Sequence, residues 1–163
     1  MKKAHKIRIY PNSRQEIQFQ KTIGCVRFYW NFLLEQRITN DNMKKENPEY
    51  IENKLTYAGL KKQEEFSWLK EVEAQPLSQV NMDLNKAYKN TFNSKFGFPK
   101  FKSKKYSKKS YRTAVGMKVN GRYFYVSKVG WVKMAEELRF KGKLMNVTIS
   151  QTKSGKYFAT FLV

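Results

Sequence analysis

One cysteine, Cys25, and one histidine, His5, are all that 163 residues hold of the two side chains that build disulfides and many zinc sites. A disulfide needs a pair and a structural zinc site needs four ligands, so both are excluded within this chain. Cys25 follows Ile23 in a helical pattern, where a small buried apolar residue is the expected role. His5 lies in a short strand, with no serine nucleophile motif and no phosphate-cradling glycine loop elsewhere in the chain. Long apolar runs are also lacking. The start "MKKAHKIRIY" has no apolar region of a signal peptide, and the richest apolar run, "FYWNFLL", is much too short to span a bilayer. No membrane contact is expected, and a cytoplasmic location is.

Carboxylates are scarce and unevenly spread. The chain carries 33 Lys and Arg against 13 Asp and Glu, a formal charge of +20. Residues 1–83 hold 14 basic and 11 acidic side chains, whereas residues 84–163 hold 19 and 2. No acid occurs from Leu84 to Ala135. A metal-dependent nuclease needs several carboxylates converging on one ion. The later half offers only Glu136 and Glu137, whose adjacency makes their side chains diverge on a strand or a helix. Glu64, Glu65, Glu71 and Glu73 fall in a lysine-mixed segment, where solvated side chains are expected. On its own residues the chain reads as a binder of polyanions, and phosphate backbones are the extended anions that cells offer.

The densest positive stretch is "GFPKFKSKKYSKKSYR", residues 97–112, with six lysines, one arginine, four aromatic residues and no acid. Lys100, Lys102, Lys104, Lys105, Lys108 and Lys109 supply charges for phosphates. Phe98, Phe101, Tyr106 and Tyr111 supply rings, for bases or for anchoring in the core. Alternation in "FPKFKSKK" predicts Phe101 turned inward and Lys100 and Lys102 turned out. The stretch is expected to be partly ordered without nucleic acid, with Phe98, Pro99 and Phe101 docked on helices. The alternative is a solvated linker.

Periodicity organises the rest. Ile7 and Ile9 alternate with Lys6, Arg8 and Tyr10, which predicts a strand with one wet face, ended by Pro11. Asn12 or Ser13 can cap a helix, with Glu16 completing a capping box from Ser13. Phe19, Ile23, Val26, Trp30 and Leu33 or Leu34 form one apolar stripe on a helix ending near Ile38. Residues 39–54 read as a mobile loop. A second helix is expected from about Leu55, carrying Leu60, Phe66 and Leu69. A third has Pro76 in its first turn and a stripe of Leu77, Val80, Leu84, Ala87 or Tyr88, and Phe92. Thereafter the period becomes two, with hairpins expected around Asn120-Gly121 and Ser154-Gly155. Two hairpins alone are marginal, so the later strands need the first one. The end on Phe161-Leu162-Val163, without a polar tail, suggests a parent chain that continues.

Seven collinear segments, "IRIYPNSRQ", "VRFYWNFLL", "LTYAGL…FSWLKEVEAQPLSQ", "DLNKAYKNTF", "GFPKFKSK", "VSKVGWVKM" and "GKLMNVTISQTKSGKYFATFLV", resemble the amino-terminal half of TnpB. These are transposon-encoded, RNA-guided DNA endonucleases related to type V CRISPR effectors. The resemblance implies an α+β fold. A small OB-like wedge β-barrel, residues 1–11 and 107–163, would carry an inserted three-helix recognition domain, residues 12–106, with residues 97–112 as a basic linker. It implies as partners a guide RNA derived from the transposon end and double-stranded DNA bearing a transposon-adjacent motif, in the bacterial cytosol or nucleoid.

The family's nuclease domain, with its catalytic carboxylates, divalent metal and zinc ribbon, has no counterpart here. No catalytic residue, metal site or cofactor is therefore assigned to this chain. By the same resemblance Tyr57, Gln75, Ser78, Gln79, Thr113 and Gly116 face the DNA motif. Glutamine can read adenine through paired hydrogen bonds, which suits Gln75 and Gln79. Arg8, Arg27, Lys100, Lys102, Lys104, Lys105, Lys108, Arg112, Trp131 and Lys133 fall in segments that meet guide RNA or heteroduplex phosphates. Trp131 has a competing place in the barrel core, which is slightly favoured, and Arg27 a competing role as an anchor to an acidic partner. The expected function is RNA-guided DNA recognition without cleavage. The alternatives are one piece of a split or truncated active nuclease, or a nuclease-dead repressor.

Overall fold

The computed structural model describes residues 2–93 and 97–163. The first strand, β1 (Ala4–Tyr10), alternates as expected: His5, Ile7 and Ile9 are buried, Lys6 and Tyr10 are exposed and Arg8 is half-buried. Pro11 ends it, and α1 (Ser13–Glu46) begins at once. Asn12 is the cap. Its side chain accepts from the Gln15 N–H at 2.9 Å while Gln15 Oε1 accepts from the Asn12 N–H at 3.0 Å. Gln15 thus takes the reciprocal role expected of Glu16, one residue earlier because the cap is Asn12.

The helix runs past Ile38 to Glu46, since no breaker intervenes before Pro48, and Pro48 forces Asn47 into an extended conformation. Lys44 and Lys45 in the last turn suit the negative end of the helix dipole. Half of the expected mobile loop is therefore helix. The remainder is held by amide side chains of α1. Asn40 Nδ2 donates to the Asn53 carbonyl at 2.7 Å and its Oδ1 accepts from the Asn53 N–H at 3.1 Å. Gln36 accepts from the Leu55 N–H at 3.0 Å.

The expected second helix divides into α2 (Tyr57–Leu60) and a 3-10 segment, Glu64–Glu71, in which Phe66 departs from helical geometry. So short a piece, with Gly59 inside it, gains little from helix propagation, and tertiary contacts decide its path. Leu60 and Leu69 are fully buried, and Phe66 packs on Phe28 and Phe32. The third helix, α3 (Ala74–Asn93), places Pro76 in its first turn and buries Leu77, Leu84 and Tyr88. Phe92 does not join that stripe; it is 73% exposed.

Six further strands follow: β2 (Lys109–Thr113), β3 (Lys118–Asn120), β4 (Tyr123–Val126), β5 (Gly130–Met134), β6 (Asn146–Gln151) and β7 (Tyr157–Leu162). All pair antiparallel in the order β2-β6-β7-β1-β5-β4-β3. The α+β class holds, and β1 joins the two strand groups as required. The sheet is open: among the described residues β2 and β3 form no ladder with each other. Yet these two edges are consecutive in the chain, linked by residues 114–117 alone. The five Cα steps from Thr113 to Lys118 span at most about 18 Å, less than the width of the sheet, so it must curl until these edges approach.

The hairpin at 121 turns on Gly121 and Arg122, with Asn120 already paired to Tyr123. This is one residue later than expected, and it sets Gly121, at φ +59°, first in the turn, where such hairpins want glycine. The Ser154-Gly155 hairpin forms as expected, closed by the Thr152 N–H on the Lys156 carbonyl at 2.8 Å. The inner face of the sheet carries Ile7, Ile9, Val147, Ile149, Val132, Met134 and Phe161, all at most 1% exposed. Phe19 of α1 packs on Tyr111 and Tyr157 there. Cys25 is buried, which pushes its thiol up to about 11. His5 Nδ1 accepts from the Arg139 N–H at 3.3 Å, so its other nitrogen carries the proton and donates to Glu136 at 2.8 Å. That hydrogen bond, with Arg139 alongside, holds Glu136 below the usual carboxylate range. Among the described residues no helix is long and apolar enough to cross a membrane, and no three His, Cys, Asp or Glu cluster as metal ligands.

Candidate nucleic-acid interface

The basic stretch is fixed to α1 through its backbone. Trp30 Nε1 donates to the Lys100 carbonyl at 2.9 Å. Asn31 clamps Lys102 from both sides, accepting from its N–H at 2.7 Å and donating to its carbonyl at 2.8 Å. The Lys102 ammonium then lies 4.0 Å from the centre of the Trp30 ring, and loss of water there lowers its pKa. Phe101, expected to point inward, is 56% exposed, and Phe98 at 64% only edges Tyr88 and Phe92. Main-chain bonds to α1 make burial of Phe101 unnecessary. Lys100, Lys104, Lys105 and Lys108 are exposed.

Beyond this segment β2 meets the start of α3 through four polar contacts. The Thr113 hydroxyl donates to Glu73 at 2.7 Å, and the Ala114 N–H donates to Gln75 Oε1 at 2.9 Å. Arg112 Nη2 donates to Gln79 Oε1 at 2.7 Å and to Asp83 at 2.9 Å. Glu73, expected to be solvated, is 9% exposed, and burial raises its carboxyl above the ordinary value. Its second oxygen has no partner. The close seating of β2 against α3 takes Glu73 out of water.

Between α1, α3, β2 and the basic stretch lies a groove of about 400 Å³. Arg27, Lys102, Lys108, Lys109 and Arg112 line it, opposed only by Asp83. All five of these cations are residues that the sequence marks for phosphate. Arg27 is half-buried and, among the described residues, forms no ion pair, so no acidic anchor accounts for it.

The residues marked for a DNA motif fall into three places. Gln75, Ser78 and Gln79 lie in the first two turns of α3, with Ser78 exposed and both glutamines half-buried. Each glutamine already spends its carbonyl on a donor. Reading adenine needs that oxygen and the amide nitrogen together, so recognition would have to release the Ala114 N–H or Arg112. Thr113 is fully buried, while Gly116, at φ +73°, sits exposed in the 114–117 link. Tyr57 is tied into the helices: its N–H donates to Tyr29 Oη at 2.8 Å and its hydroxyl to the Leu69 carbonyl at 3.2 Å.

Arg8, Trp131 and Lys133 lie apart from the groove, on the outer face of the sheet. Trp131 is 45% exposed and touches Tyr125, so the core place that the sequence slightly favours for it is not the one it takes. Val132 and Met134 face inward instead, because alternation along β5 admits only one parity. Sequence reasoning overlooks Tyr10, Tyr123 and Tyr125 on this face. Their even spacing with Arg8 and with each other was the available signal.

A family model described as "Helix-turn-helix domain" matches residues 1–45. In this chain those residues form one strand and a single unbroken helix as far as they are described. The chain is 32% identical over 158 residues to the Escherichia coli K12 protein named "Putative RNA-guided DNA endonuclease InsQ", covering 95% of this chain and 39% of that one. It is 29% identical over 172 residues to a Streptomyces pristinaespiralis protein named "Putative RNA-guided DNA endonuclease", covering 99% and 41%. The chain spans about two fifths of the length of these relatives.

Proposed function

Because the chain is TnpB-like, matching part of the length of proteins named as RNA-guided DNA endonucleases, we propose that it is the recognition portion of such a system. It binds a structured guide RNA and a short motif in duplex DNA, and its own side chains do not cut. The observation that carries this reading is the groove in which Arg27, Lys102, Lys108 and Arg112 converge beside the first turns of α3. Phosphate contacts from those cations fix register, and the adjoining Gln75, Ser78 and Gln79 offer groups for base edges. In RNA-guided recognition base pairing reads the target, while protein reads shape and a short flanking motif.

The test is a filter-binding titration of the chain against the RNA of its own transposon end and against tRNA of equal length, at about 150 mM salt. Preference for the transposon-end RNA of tenfold or more is expected. Equal affinity would remove guide recognition from the reading and leave a general polyanion binder.

The two-fifths coverage supports a second reading, in which this chain serves an active nuclease whose catalytic carboxylates lie outside these residues. Sequencing the DNA that follows the reading frame decides it. An aspartate-bearing strand and CxxC pairs are the expected finding, and their absence from any neighbouring frame sinks the idea.

A further inference from the structure

On the β1-β5-β4-β3 part of the sheet, the strands away from the groove beside α3, the outer face sets rings beside cations, with no Asp or Glu on these strands. Cross-strand register assembles the rings. Tyr10 pairs with Lys133, and Lys133 with Tyr123, so one row reads tyrosine, lysine, tyrosine across three strands. The next row pairs Trp131 with Tyr125, their centroids 5.7 Å apart, and Tyr125 with Lys118, whose ammonium lies 5.5 Å from the ring. Arg8 adds its guanidinium 5.2 Å from Tyr10. Tyr10, Tyr123 and Trp131 are 49%, 48% and 45% exposed, an unusual amount of aromatic surface for one sheet face to leave in water.

We propose that this face is a stacking platform for unpaired bases of single-stranded RNA, separate from the groove beside α3. The proposal rests on the reading of the chain as a nucleic-acid binder. Bases in a duplex show no free faces, whereas an unpaired base can lie on a ring while a neighbouring cation holds its phosphate. Charge selects the occupant: a protein partner complementary to Lys118, Lys133 and Arg8 would need acids matched to a patch dominated by rings. An RNA strand supplies anion and flat apolar surface in every unit. Strands spaced about 4.8 Å apart place Tyr10 and Tyr123 about 10 Å apart, with Lys133 between. That leaves two stacking sites flanking one phosphate-binding lysine.

The experiment measures anisotropy of a labelled, unstructured 12-nucleotide RNA and of a 12-base-pair RNA duplex with the full 163-residue chain. Against wild type, Tyr123→Ala/Trp131→Ala is expected to weaken single-strand binding by about 10- to 100-fold and duplex binding by less than twofold. Trp131→Phe, which keeps a ring, should stay within about threefold for both. The single variant Tyr123→Ala, at the outer hairpin, is expected to lose about fivefold for the single strand and serves should the double variant melt. Equal losses for both ligands, or no loss for the single strand, would overturn the platform. If the variants lose only single-strand binding, the groove remains intact. With Arg27→Ala, loss of duplex binding and retention of single-strand binding would support both sites, whereas unchanged duplex binding would count against the groove while leaving the platform standing.

Discussion

At Glu73 a carboxyl group has lost its water without gaining an ion pair; Thr113 serves one oxygen, and the other has no partner. Burial lifts its pKa above the ordinary 4.5, so between 4.5 and the raised value the folded chain holds a proton that the unfolded chain releases. Stability contributed by that proton is present at low pH and falls as pH rises through the window. Glu73→Gln keeps an acceptor for Thr113 and removes the charge. It is expected to raise Tm at pH 7 by roughly 2 to 4 °C, the shift that about 1 kcal/mol produces at this chain length. The gain should shrink to nothing near pH 4, and melts by circular dichroism across pH 4 to 8 check it. An unchanged Tm at pH 7 would mean that Glu73 is effectively solvated. No sequence signal distinguished Glu73 from Glu64, Glu65 and Glu71, which are exposed as expected, because its burial depends on β2, forty residues away. The parity of β1, by contrast, was written in the five residues from Lys6 to Tyr10.

The basic stretch behaves as an element with two parts. Its first residues are fastened through Lys100 and Lys102 to Trp30 and Asn31, and Lys104 and Lys105 stand free of that fastening. The lysines therefore differ in what they can give to phosphates. Changing Lys100, Lys104 and Lys105 together to Ala should flatten the slope of log affinity against log salt by about two to three units. Lys102→Ala, whose ammonium already sits on Trp30, should change the slope by less than one. Titrations from 50 to 300 mM salt test both, and a slope that the triple variant does not move would make the run a solvated linker. DNA-motif preference should survive, since phosphate contacts position and base contacts specify. Alternation placed the lysines outward correctly, but it also turned Phe101 inward. Period-two reasoning assumes a strand against a core, and here main-chain bonds to two side chains of a helix take the core's place. The three amides that hold loops, Asn31, Gln36 and Asn40, look like any exposed helical polar residues in sequence.

For the molecule as a whole, the 114–117 link decides how far the sheet curls, and Gly116 gives it a left-handed residue with open space around the Cβ position. Gly116→Ala should cost about 1 kcal/mol through backbone conformation alone. Urea unfolding is the measurement, and a cost near zero would show that the link relaxes without consequence. Sheet membership of the last strands was legible from their alternation. The open edge was not, because closure depends on four residues whose path no periodicity describes. The position of β1 has a consequence in time. Ala4 pairs with Leu162 and the Lys3 N–H with the Val163 carbonyl, so the first strand synthesised is zipped between two that emerge after residue 129. At about 5 to 20 residues per second a ribosome keeps β1 waiting for β7 for roughly 8 to 30 s. During that interval both hydrogen-bonding edges of β1 are bare and its one lysine and one arginine stand open to polyanions, while α1 can already form from local bonds. Assembly of the sheet therefore closes around an element that has been exposed since it was itself made, well before its two neighbours.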